Sequence, residues 1–181
     1  PRSTRYATLF PSTTLFRSTQ PAALVASETH ANVSCNGGNN GSIDVTVSGG
    51  TAPYNFAWGD GPTTQNRTGL LAGSYALTVT DDHGCSTIVN ATISQPAVLA
   101  ASETHVNVSC NGGNNGSIDV TVWGGTAPYT YLWGDGPSTE DRTGLLAGSY
   151  SVAVTDAHGC LANVGATITQ PAVRADGGRD G

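Results

Sequence analysis

Apolar and polar residues alternate in several short stretches of the chain. Every second residue is apolar from 43 to 47, from 54 to 58, from 75 to 79 and from 89 to 93. A period of two places these side chains on one face of an extended strand, which can be buried while the other face stays in water. Groups of Gly, Asn, Asp and Pro separate the stretches and favour turns. The pattern therefore predicts short β-strands joined by tight turns.

The sequence repeats itself with an offset of 75 residues. Residues 27–95 align without a gap with residues 102–170, and 17 of the 69 positions differ. We therefore predict two equivalent domains, 27–98 and 99–173, and we interpret residues 19–26 as the tail of a preceding repeat. Each repeat ends in Gln-Pro, which favours a short and fairly stiff connector.

The two ends of the chain do not fit the repeat. Residues 1–18 match nothing in either copy, and the segment from Thr13 to Ser18 resembles a one-frame translation of a sequencing adapter. We interpret residues 1–18 as an unrelated leader that arose as a sequencing artefact. The same codons in an independently cloned genomic copy would disprove this. Residues 174–181 are rich in Gly and Asp and predict a flexible tail.

Each 75-residue repeat has room for six or seven short strands, with turns about every 8–12 residues. This arrangement predicts an all-β fold of two tandem immunoglobulin-like (PKD-like) β-sandwiches. Trp58, Tyr75 and their counterparts Trp133 and Tyr150 are expected in the core. Tyr75 and Tyr150 each follow a Leu-Ala-Gly turn, where an immunoglobulin-like sandwich has its tyrosine corner.

Composition narrows the classes of function. The chain has seven basic residues, all of them Arg, against 13 acidic residues. This balance argues against binding to nucleic acid phosphates. No apolar run approaches the length of a membrane span. There is also no nucleophile elbow or phosphate-binding loop, so we do not expect an enzyme.

The repeated motifs resemble those of the SprB repeat. Both copies contain G-G-T-x-P-Y-x-x-x-W, then L-x-A-G-x-Y-x-x-x-V-T-D-x-x-G-C, then a terminal Q-P, in the same order and spacing. The resemblance covers about residues 19–173. SprB repeats occur in very large surface adhesins of gliding bacteria and in related secreted proteins.

The resemblance implies a repeat segment of a large bacterial adhesin at the cell surface or outside the cell. It implies export by type IX secretion, attachment to the outer membrane, and a role in adhesion or gliding motility. The expected partners are a surface glycan or another cell-surface or substratum ligand, and neighbouring repeats of the same chain. The alternative is a carbohydrate-binding or spacer module of a secreted glycan-degrading enzyme.

The chain has four cysteines, two in each repeat and 50 residues apart. The equal spacing favours two bridges within repeats, Cys35–Cys85 and Cys110–Cys160. Unpaired buried thiols are one alternative. A zinc site is another, because each repeat also has two histidines. The two possible ligand sets are His30, Cys35, His83 and Cys85, and His105, Cys110, His158 and Cys160.

Three further residues are candidates for binding. Asp81 and Asp156 could supply oxygen ligands for calcium, although Asp at such positions also caps turns. Apart from calcium, no cofactor or metal is expected. Trp123 replaces Ser48 of the first repeat on a face predicted to point outward. It is a candidate ligand contact, and packing against the neighbouring repeat is the alternative.

Overall fold

The computed structural model describes residues 20–173. The predicted leader, residues 1–18, and the predicted tail, residues 174–181, lie outside these residues. The described part of the chain forms twelve β-strands. It contains no helix with the length and apolar character needed to cross a membrane.

The first six strands are β1 (Val25–Ala31), β2 (Gly41–Ser48), β3 (Asn55–Trp58), β4 (Arg67–Leu70), β5 (Gly73–Thr80) and β6 (Ser86–Ile93). The second six are β7 (Ala100–Val106), β8 (Gly116–Trp123), β9 (Thr130–Trp133), β10 (Arg142–Leu145), β11 (Gly148–Thr155) and β12 (Leu161–Ile168). The first strand begins two residues before the predicted boundary at residue 27.

Each group of six strands folds into two three-stranded sheets. The first group forms the sheets β1-β2-β4 and β3-β5-β6, and the second forms β7-β8-β10 and β9-β11-β12. All paired strands are antiparallel. In the strand letters of the immunoglobulin fold this is A-B-E against C-F-G, the constant-type order without strand D. The prediction of two tandem immunoglobulin-like sandwiches is therefore confirmed.

The core of each sandwich lies between its two sheets. Buried and exposed residues alternate along β2 and β8, as the period of two requires. Trp58 is 4% exposed and Trp133 is 2% exposed. Each indole N–H donates to a backbone carbonyl oxygen, that of Thr64 at 2.7 Å and that of Thr139 at 2.8 Å. These hydrogen bonds satisfy the polar atom of a side chain that is otherwise buried among apolar groups.

A tyrosine near the start of β5 and of β11 ties the preceding turn to the strand. The Tyr75 hydroxyl donates to the carbonyl oxygen of Leu71 at 2.9 Å, and the Tyr150 hydroxyl donates to that of Leu146 at 3.1 Å. Such a bond to the backbone a few residues upstream defines a tyrosine corner.

Each sandwich has two distinct ends, because β1 and β6 run in the same direction and finish side by side. The Val33 N–H donates to the carbonyl oxygen of Ser94 at 3.0 Å, and the Ser94 N–H donates to Asn32 at 2.8 Å. We call this the exit end. The opposite end, which carries the turn between β5 and β6 at residues 81–85, is the entry end.

Candidate functional site at the junction of the sandwiches

A disulfide bridge joins the two sandwiches. The Sγ atoms of Cys35 and Cys160 are 2.03 Å apart, and their Cα atoms are 5.7 Å apart. Cys35 lies in the loop between β1 and β2, at the exit end of the first sandwich. Cys160 lies in the turn between β11 and β12, at the entry end of the second. The bridge therefore spans the junction, which is the candidate functional site.

The predicted pairing within each repeat is wrong. Cys35 follows the end of β1 and Cys85 precedes the start of β6, and these two strands run in the same direction. The two cysteines are therefore separated by the length of the eight-residue β6, which is about 25 Å. A disulfide requires Cα atoms within about 7 Å. Cys85 and Cys110 are instead exposed free thiols.

The loop of Cys35 is held by the chain that leaves the first sandwich. The Gly37 N–H donates to the side-chain oxygen of Gln95 at 2.7 Å, and the Asn36 side-chain amide donates to the carbonyl oxygen of Pro96 at 3.0 Å. Gly37 has a φ of +73°, a conformation that glycine adopts at low cost. The Gln-Pro that ends the repeat therefore also positions the bridging cysteine.

The turn of Cys160 is organised by a single buried carboxylate. Asp156 is 5% exposed and accepts three backbone N–H bonds, from Cys160 at 2.9 Å, His158 at 2.9 Å and Thr126 at 2.9 Å. Burial alone would raise the pKa of Asp156, but the three hydrogen bonds outweigh it and hold the pKa below its ordinary value. The carboxylate therefore stays ionised and fixes the backbone that carries the cysteine.

The connector between the sandwiches is bonded to both of them. Its first residues, Gln95 and Pro96, accept from the first sandwich, while the carbonyl oxygen of Ala97 accepts from the Gly125 N–H of the second at 2.9 Å. A Cβ atom on Gly124 would overlap the carbonyl oxygen of Val98, so the connector lies directly against this turn. Few degrees of freedom are left between the two domains.

Neither the alternative zinc ligand sets nor the two calcium candidates belong to a cluster of possible metal ligands in the part of the chain that the structure describes. Among residues 20–173, no three His, Cys, Asp or Glu side chains lie close enough together to hold a metal ion. His30 and Cys35 lie toward one end of the first sandwich, and His83 and Cys85 lie at the other, so they cannot form the zinc set. The carboxylate of Asp81, like that of Asp156, accepts three backbone N–H bonds. Calcium binding by these two residues stays a prediction.

Trp123 is the last residue of β8 and is 51% exposed. Its backbone pairs with Ala100, the first residue of β7. The side chain therefore lies at the entry end of the second sandwich, near the junction.

Sequence reasoning missed two arginines that support the cores. The Arg67 guanidinium lies 5.2 Å from the ring centres of both Trp58 and Tyr75 and donates to Asp60 at 2.7 Å. Arg142 makes the same contacts in the second sandwich. The sequence contains a feature that could have identified them: they are the only two Arg residues between 27 and 173, and they occupy equivalent positions in the two repeats.

The sequence model of the SprB repeat family matches residues 27–63 and 102–138. The chain carries two SprB repeats. The matched residues run from β1 to just past β3 in the first sandwich and from β7 to just past β9 in the second. The bridging Cys35 falls inside a match, whereas Cys160 falls outside it. No curated protein matches the chain significantly.

Solved structures similar to the two SprB repeats share little sequence with them. A C-terminal 282-residue fragment of intimin, solved with the intimin-binding domain of the translocated intimin receptor, is 14% identical with a TM-score of 0.44, covering 83% of this chain and 64% of that one. The N-terminal four Ig domains of Dscam1 isoform 9.44 are 16% identical, with a TM-score of 0.38 and coverages of 84% and 47%.

The full ectodomain of mouse nectin-like molecule 4 is 11% identical, with a TM-score of 0.36 and coverages of 81% and 64%. The chain spans less than two thirds of each of these three structures. The assignment of the fold rests on the strand order and pairing described above.

Proposed function

We propose that the chain is a non-enzymatic repeat segment of a large bacterial adhesin, located at the cell surface or outside the cell. Its role is to space and present a contact surface through a series of sandwiches joined end to end. The Cys35–Cys160 bridge carries this proposal. A covalent link across the junction, together with a connector bonded to both domains, resists bending and extension between them.

Two further properties support this setting. Disulfides persist in oxidising compartments such as the cell exterior. Between residues 27 and 173 there are two Arg against eleven Asp and Glu, a net charge of −9. Such a charge keeps neighbouring filaments soluble and mutually repulsive. Many copies of a weak contact, presented on one chain, would add up to strong attachment.

The proposal is tested in a bacterium that produces the parent protein. An antibody raised against this chain is expected to label intact cells, and deletion of the segment is expected to reduce attachment under flow. Replacement by the Cys35→Ser/Cys160→Ser variant is expected to give an intermediate loss, because the sandwiches remain while the link between them is lost. Labelling of permeabilised cells only, or unchanged attachment after deletion, would contradict the proposal.

The exposed indole of Trp123 favours a second candidate, a carbohydrate-binding module. An aromatic ring that is 51% exposed offers a flat apolar surface on which a sugar ring can stack. Trp123→Ser is a matched variant, because the first repeat has Ser48 at this position. Glycan binding by the wild-type chain that disappears in Trp123→Ser would support this candidate. If the wild-type chain binds no sugar on a glycan array, the second candidate is wrong and the spacer function remains.

A further inference from the structure

The two cysteines that the junction does not use lie at the outer ends of the pair of sandwiches. Cys85 lies at the entry end of the first sandwich and Cys110 at the exit end of the second, and both are exposed thiols. At the observed junction, an exit-end cysteine is bonded to an entry-end cysteine. Each outer cysteine is therefore the equivalent of one half of a bridge that the same chain already contains.

The loop of Cys110 has the conformation of the bonded loop, although it has no partner. The Gly113 N–H donates to the carbonyl oxygen of Cys110 at 3.0 Å, and the Gly112 N–H donates to the side chain of Gln170 at 2.8 Å. The corresponding bonds in the loop of Cys35 are 2.9 and 2.7 Å. A loop already in its bonded conformation loses little entropy on binding.

The turn of Cys85 matches the turn of Cys160 in the same way. Asp81 accepts backbone N–H bonds from Cys85 at 2.8 Å, His83 at 3.0 Å and Thr51 at 3.0 Å. These three donors are the equivalents of Cys160, His158 and Thr126, whose N–H groups donate to Asp156. The backbone that presents the Cys85 thiol is therefore fixed before any partner arrives.

A groove of about 430 Å³ opens beside Cys85. One wall is the segment 20–24, which follows the course of the connector: the Gly50 N–H donates to the carbonyl oxygen of Ala22 at 2.8 Å. The equivalent bond at the observed junction, from Gly125 to Ala97, is 2.9 Å. The entry end of the first sandwich thus has the junction's backbone arrangement.

At the observed junction, residues of both sandwiches line one cavity. Cys35 and Asn36 of the first sandwich lie there together with Leu99, Cys160 and Leu161 of the region they contact. The Sγ atom of Cys160 is 3.6 Å from the carbonyl oxygen of Ser34. The loop that the first sandwich contributes there, residues 34–38, is Ser-Cys-Asn-Gly-Gly, and residues 109–113 of this chain have the same five-residue sequence.

We propose that the groove beside Cys85 binds the cysteine loop of another repeat of this kind, for which the Cys110 loop of a second copy of this chain serves as the probe, and that the two thiols form a disulfide across this contact. The contact is head to tail, so each added copy presents a new groove and a new loop, and the association extends in a line. This proposal concerns the end faces of the repeats and does not depend on attachment to a surface.

The bridge requires a two-electron oxidant, supplied by a disulfide such as oxidised glutathione. A thiolate of one copy attacks glutathione disulfide and releases one glutathione thiolate, which leaves a mixed disulfide on the protein. The thiolate of the other copy then attacks the protein sulfur and releases the second glutathione. Two protein thiols are oxidised to one disulfide, and glutathione disulfide is reduced to two thiols, with the protons passing to solvent.

Two variants of the full chain, each blocked at one end, test the proposal. Cys85→Ser keeps only the loop thiol, and Cys110→Ser keeps only the groove thiol. One variant is labelled with ¹⁵N, because the two chains have the same mass. They are incubated in glutathione redox buffer, separately and mixed, and the disulfide-linked dimers are separated on non-reducing gels and weighed. Peptide mapping confirms that Cys35–Cys160 is intact in both.

The mixed dimer is expected to exceed either homodimer by about ten-fold or more, because docking raises the effective concentration of the matching thiols. The excess should disappear in urea, where the thiols react at random. Homodimers as abundant as the mixed dimer in native buffer, or glutathione adducts alone, would overturn the proposal. The wild-type chain should form a ladder of oligomers, and the Cys85→Ser/Cys110→Ser chain should remain a monomer.

Discussion

Removal of the bridge between the sandwiches should destabilise the chain strongly. The bridge closes a loop of 125 residues, which in the chain-entropy model corresponds to about 5 kcal/mol of unfolding free energy at 25 °C. For two sandwiches that unfold together, this equals a fall in Tm of about 10–20 °C. The variant to compare is Cys35→Ser/Cys160→Ser, made in a Cys85→Ser/Cys110→Ser background so that no thiol is left to pair wrongly.

The matched control is the Cys85→Ser/Cys110→Ser chain, which keeps the bridge. Thermal unfolding followed by calorimetry and circular dichroism is expected to place its Tm close to that of the wild type. The four-serine chain should melt well below it and still show the β-sheet spectrum at low temperature. An equal Tm for the two serine variants would refute the reasoning, because a bridge across two folded domains would then contribute nothing to their stability.

Three smaller perturbations test the supporting contacts. Arg67→Ala should lower the free energy of unfolding, measured in urea, by about 1–2 kcal/mol, because the guanidinium is stacked on two aromatic rings. Arg67→Lys should lower it by less. An unchanged free energy of unfolding in Arg67→Ala would contradict this role. The pKa of Asp156 is lower in the folded state than in the unfolded chain. The carboxylate therefore contributes its full share to the free energy of unfolding above the pKa of an unfolded Asp, near 4. This share is lost as the pH falls through the lower pKa of the folded state. Asp156→Asn should therefore flatten the loss of stability in acid. Burial and the Glu140 carboxylate raise the pKa of Tyr131 to about 12, and Glu140→Gln should lower it in an ultraviolet titration.

Much of the fold could be predicted from local pattern. The alternation of apolar and polar residues identified β2, β5 and β6. In these strands one face is packed in the core, where Ile43 and Leu77 are fully buried, so the sequence carries an apolar residue at every second position. Strands β1 and β4 escaped this reasoning. Most residues of β1 are exposed, so it has no apolar period, and β4 has only four residues, among them Gly69 with a φ of +71°.

The pairing of the cysteines could not be predicted from the spacing. The two cysteines of each repeat are 50 residues apart, whether they bond to each other or to cysteines of neighbouring repeats. Bridges within repeats and bridges between repeats therefore look alike in sequence. The choice depends on the common direction of β1 and β6, which separates Cys35 from Cys85, and on the connector that brings Cys35 to Cys160. Neither property is visible in the period of apolar residues.

Non-reducing tryptic mapping tests the bridge between sandwiches most directly, since the chain has no Lys and few Arg. Cleavage after Arg17, Arg67, Arg142 and Arg174 places Cys35 in peptide 18–67, Cys160 in peptide 143–174, and both other cysteines in peptide 68–142. When the free thiols of the monomeric chain are alkylated, we expect peptide 18–67 to be linked to peptide 143–174, and peptide 68–142 to be unlinked with two alkyl groups. A product in which all three peptides are linked and no thiol is alkylated would contradict it.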